Sequence, residues 1–134
     1  MKNIKFLFAA VVLFFVSTFV SAQVKDWKEK NEFHKVMSIT FHPAEEGNLA
    51  PIKSKIGEMQ EKAIAFQKSV IPADVVNKKE VQKNLKDLVK GTKSLNKKIK
   101  ANASDEVIKN DLTSLHDVFH KIVGLCSAED KHDH

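Results

Sequence analysis

Apolar residues recur every three or four positions in four separate stretches of this chain, the period of helices that bury one side. Ile52, Ile56, Met59, Ala63, Phe66 and Val70 step alternately by four and three, and Pro51 suits the first turn of the helix they predict. Val81, Leu85, Leu88, Thr92, Leu95 and Ile99 repeat the pattern, with Asn77 and Glu80 spaced as a capping box ahead of it. Ile108, Leu112, Leu115, Phe119, Ile122 and Cys126 give the last stripe. Ser104 is its N-cap, Asp105 and Glu106 lie at the positive end of the helix dipole, and its end falls at or beyond Gly124.

The first stretch is less regular. Trp27, His34, Met37 and Phe41 share the spacing, Lys30 fills the missing step, and Phe33, Val36 and Thr40 form a neighbouring stripe. Its apolar face is therefore polar where the second and third are not. Pro43, Gly47 and Asn48 are expected to break the chain before the second helix. Ile71 to Asp74 and Ala101 to Ser104 supply the later breaks. Short connections make sequential helices antiparallel, so the expected fold is all-α, an antiparallel up-down-up-down four-helix bundle whose first and last helices pack side by side.

What precedes and follows these stripes differs in kind. Two lysines in Met1 to Lys5, the apolar run from Phe6 and a small-residue end at Ala22 follow the order of a cleavable signal peptide, 1–22. That reading makes the bundle, 23–126, a periplasmic or secreted protein without a stable membrane anchor after cleavage. Residues 127–134, with Glu129, Asp130, His132, Asp133 and His134, read as a disordered tail with metal-capable groups.

Charge changes the picture less than its sign suggests. The net charge is +5, yet every basic residue is lysine. Without arginine's planar fork, nucleic acid is an unsuitable partner, and lysines spread along helices read as a solvated face. The one cysteine, Cys126, permits no internal disulfide. On its stripe it reads as a small buried apolar side chain, with an exposed thiol, a soft ligand or the disulfide of a homodimer as alternatives.

Histidine is where chemistry enters. His116 and His120, four residues apart, project from one face of the last helix. The antiparallel arrangement brings their level to that of His34 and Met37 on the first. Imidazoles from two adjacent helices are ligands that zinc, copper or nickel accept, and a thioether would favour reduced copper or a haem iron. The candidate ligands are His34, His116 and His120, with His42 and Glu46 joining only if Pro43 turns the chain back and Glu45 beside them in the loop. Set against this, a histidine beside a core stripe is commonly a packing residue, and Met37 commonly core filler. A glycine-rich phosphate loop, a nucleophile elbow, H-E-x-x-H and paired E-x-x-H are missing from the sequence, so an enzyme is not expected.

His116-Asp117-Val118-Phe119-His120, late in the last of four helices, resembles the haem-attachment region of the four-helix cytochromes of the c-prime class and their soluble b-type relatives. The attachment cysteines are missing. The resemblance therefore implies a noncovalent haem b with His120 and Met37 as axial ligands, His34 being a substitute for Met37. Three functions are thus carried forward, in this order: transition-metal binding for storage, buffering, sensing or delivery; a b-type haem electron carrier; and a nonenzymatic bundle that binds a protein partner on a helix face.

Overall fold

A computed structural model describes residues 26–126. The expected signal peptide, 1–22, and the tail, 127–134, lie outside the described residues. Four helices follow in order: α1 (Lys28–Glu45), α2 (Ala50–Lys68), α3 (Lys78–Lys100) and α4 (Asp105–Cys126). Each packs on the next and α4 returns to α1, closing the up-down-up-down bundle. No helix among the described residues is long and apolar enough to cross a membrane.

The stripes bury much as the periodicity predicts. Ile52, Ile56, Met59, Ala63 and Phe66 of α2, Val81, Leu85, Leu88, Thr92 and Leu95 of α3, and Ile108, Leu112, Leu115, Phe119 and Ile122 of α4 form the core. Val70 departs from it, at 86 % exposed, because α2 ends at Lys68 and the helical phase that aimed Val70 inward ends with it. Buried hydroxyls are met by their own helices: Thr40 Oγ1 donates to the carbonyl of Val36 at 2.8 Å, and Thr92 Oγ1 to that of Val89 at 2.9 Å. Both threonines therefore sit in the core without stranding a polar atom.

Helix ends differ more from expectation. Ser104 caps α4 as predicted, its Oγ accepting from the Val107 N–H at 3.2 Å. Asn77 makes no side-chain cap, because its backbone, with φ −98° and ψ 58°, is outside the extended region from which a cap side chain reaches back. Pro43 does not end α1 either. The carbonyl it leaves without a helical donor belongs to Ile39, a solvent-facing residue, so the helix tolerates it for a further half turn. The stop comes from Gly47, at φ +93°, where the Asn48 N–H reaches the Pro43 carbonyl at 2.9 Å and the Gly47 N–H that of Ala44 at 3.0 Å. This Schellman closure needs a left-handed residue, which glycine adopts without penalty.

The buried side of α1 is Phe33, Val36, Met37, Thr40, Phe41 and Ala44. His34, expected on that face, is exposed at its edge instead. Trp27 belongs to the junction ahead of α1, where its ring meets Phe66 edge-on at 5.0 Å and its Nε1–H donates to Ser69 Oγ at 2.8 Å. Phe33, Phe66 and Phe119 pack mutually beside it, with centroids 5.4 to 6.3 Å apart.

Candidate metal centre

The α1–α4 seam is the sparsest of the four in close backbone approaches, and rings fill it. His34 lies flat on Phe119, centroids 5.3 Å apart and planes 14° from parallel. One level away, His116 lies on Phe41 at 3.8 Å and 10°. Antiparallel packing thus pairs one imidazole from each helix with a phenyl ring from the other. The level matching expected from topology occurs through these stacks, and it puts His34 and His116 against different rings.

His116 and His120 do meet. Their Nε2 atoms are 3.2 Å apart, a separation at which one neutral ring can donate to the other. It is also close to the bite of a chelate, since two metal–nitrogen bonds of roughly 2.0–2.1 Å opened to a tetrahedral angle leave their nitrogens about 3.3–3.4 Å apart. Phe41 holds the His116 ring by one face, which limits its rotation, while His120 is exposed.

Across the seam, α1 brings His42 and Glu45. Their Nδ1 and Oε1 atoms are 3.5 Å apart, and both side chains are more than half exposed. Glu45 is helical rather than part of a loop because α1 continues through Pro43, and it follows Phe41 by one helical turn, which sets it toward His116. Glu46, the carboxylate singled out in the sequence, is the exposed C-cap beyond that turn. Glu45 influences the charge of His116, a relation that follows from the four-residue step from Phe41 to Glu45 and is hidden when Pro43 is treated as the helix end.

Electrostatics at His116 reflect this company. Burial pushes its imidazole below the ordinary histidine range, and the neighbouring His120 acts in the same direction. Asp117 and Glu45 pull it upward, and His42 lowers it further. The sum favours a neutral ring, the form that binds a metal. Among the described residues, no three histidine, cysteine, aspartate or glutamate side chains converge closely enough to hold an ion as they stand. A complete coordination sphere would therefore need His42 or Glu45 to swing in, or a donor from elsewhere.

Met37 and Cys126 have other surroundings. Met37 is 1 % exposed and packed within the core. Its sulfur would reach an iron carried by the exposed His120 only if that core opened. Cys126 is a half-buried free thiol, not the fully buried residue its stripe predicts, because it is the last residue of α4. Burial raises its pKa, Lys30 opposes that and Asp74 adds to it, so the protonated thiol is favoured.

Comparison with protein-family models, characterised proteins and solved structures gives no significant match to this chain.

Proposed function

We propose that the protein binds a divalent transition-metal ion at the His116–His120 pair and acts in metal storage, buffering or delivery. The 3.2 Å separation of the two Nε2 atoms carries the reading, because two imidazoles one helical turn apart offer a chelate at little cost in reorganisation. Glu45 and His42 complete the set from α1, their exposed side chains turning toward the ion. His34 remains outside it, its ring engaged with Phe119. A bare ion suits this donor set better than haem, since Met37 is engaged in packing. An ion held by α1 and α4 together would fasten the sparsest seam of the bundle.

The test is calorimetric titration of zinc, nickel and copper(II) into untagged protein, paired with thermal unfolding. One ion per chain is expected, with a stabilisation of about 2.7 kcal/mol when free metal is 100 times Kd. His116→Ala and His120→Ala should each abolish that gain, Glu45→Gln should weaken it, and His34→Ala should leave affinity unchanged, because its ring is engaged with Phe119. Binding that survives the His116→Ala/His120→Ala double replacement, or no binding of any of the three ions, would overturn the reading.

A further inference from the structure

The basic excess of this protein belongs largely to one helix. Nine of its 22 lysines lie on α3, where Glu80 and Asp87 are the carboxylates. In α1, Lys28, Lys30 and Lys35 are balanced by Glu29, Glu32 and Glu45, and in α4 acids outnumber lysines. Seven of the nine, Lys79, Lys83, Lys86, Lys90, Lys93, Lys97 and Lys100, step alternately by four and three residues, and all seven are exposed. At 1.5 Å per residue the row is about 31 Å long. Among the described residues, no carboxylate is paired with any of the seven, whereas Lys98, just off the row, is held by Asp111 at 2.7 Å.

Beside this row the surface is concave. One recess of about 300 Å³ is lined by Gln60, Lys93, Asn96, Lys97 and Lys100. A second, of about 360 Å³, takes in Gln67, Lys83, Lys86, Lys90 and again Lys93, so the two run end to end along α3. The α2 wall presents carboxamides there, and Asn96 Nδ2 donates to Gln60 Oε1 at 2.8 Å across the seam. Asp87 is the acid in the groove.

We infer that the α2–α3 groove binds an extended acidic polysaccharide, with the lysine row meeting its carboxylates or sulfates and the carboxamides of Gln60, Gln67 and Asn96 meeting its hydroxyls. A straight row of ammonium groups suits a linear polyanion with regularly spaced charges, and lysine, as a point charge on a flexible stem, tolerates variation in their orientation. A groove fits a chain better than the plane of a lipid surface. Single-stranded nucleic acid would want exposed aromatic platforms, but Trp27, Phe33, Phe41, Phe66 and Phe119 are all buried.

Sodium polygalacturonate and dextran sulfate, titrated into the full protein at low and physiological salt, test the inference against two other probes: a single-stranded oligonucleotide of matched charge, and phosphatidylglycerol vesicles. At least one polysaccharide should bind, and less tightly as salt rises. Replacing Lys86, Lys90, Lys93 and Lys97 together by Gln, a good helix former, should weaken it about tenfold or more, in keeping with the loss of four charge contacts. Replacing Lys35, Lys68, Lys109 and Lys121 together should cost less than about threefold, since these exposed charges act from other faces through screening salt. Equal losses from the two sets would reduce the effect to net charge and overturn the inference. So would no polysaccharide binding, or tighter binding of the oligonucleotide or the vesicles.

Discussion

The two flanks of α4 are built on opposite plans. Toward α3 the backbones run close: a Cβ added at Gly91 would lie 2.5 Å from Leu115 Cδ2, and Lys98 reaches Asp111 across the seam. Toward α1 the close approaches are few, and Phe33, Phe41, Phe119, His34 and His116 fill the space. Close backbone packing leaves no room for a titratable ring. A wider seam filled by flat side chains can bury part of an imidazole while its nitrogens still face outward, which makes the less tightly closed flank the one with chemistry to offer.

Four changes would break or sharpen this contrast. Phe119→Ala should cost about 3–5 kcal/mol, because it leaves a cavity where the ring meets Phe33, Phe66 and His34; urea unfolding measures it, and a loss below about 2 kcal/mol would mean the wide flank is not held by its rings. On the other flank, Gly91→Val should cost about 1–3 kcal/mol by overpacking against Leu115, an effect that a separated α3–α4 seam would not show. Phe41→Leu keeps a large apolar side chain while removing the ring, and should cost about 1–2 kcal/mol in unfolding for the few buried carbons lost. It should nonetheless weaken zinc binding, because His116 loses the ring that orients it; unchanged affinity in calorimetry would remove that role.

The smallest effect is that of pH. His116 has its pKa lowered in the fold, so the unfolded chain takes up its proton first as pH falls past about 6.5. Its contribution to stability is full above that value and declines through the window down to the lowered folded pKa. Glu45 and Asp117 from the two helices restrain the decline, while His120 and His42 deepen it. Comparison of melting temperature with pH for the wild type and His116→Gln should show the decline flattened in the variant. Zinc affinity should fall over the same acid range, as protons compete for His116.

Much of the fold was legible because periodicity is a local property. The stripes of α2, α3 and α4 come from spacing alone, and Ser104 caps because a single turn decides whether its hydroxyl reaches Val107. Asn77 has the right residue type in the wrong backbone conformation, and Pro43 is tolerated where a general rule predicts a break. In both, the outcome rested on a neighbouring carbonyl or dihedral that residue type does not encode. The candidate site was legible in part. His116 and His120 are four apart on any helix, but whether Glu45 is helical or in a loop depended on how far α1 ran beyond Pro43.

By itself the sequence determined the helices, the buried faces of α2, α3 and α4, the row of lysines on α3 and the pairing of His116 with His120, since each follows from a period of about 3.6 residues along one rigid element. Only the tertiary structure decided that α1 and α4 meet through rings, that His34 lies on Phe119 rather than beside the histidine pair, and that Glu45 and His42 come near enough to His116 to influence its charge. Those outcomes depend on the separation and relative height of two helices far apart in the chain. Both are set by the summed packing of all four and by no residue alone.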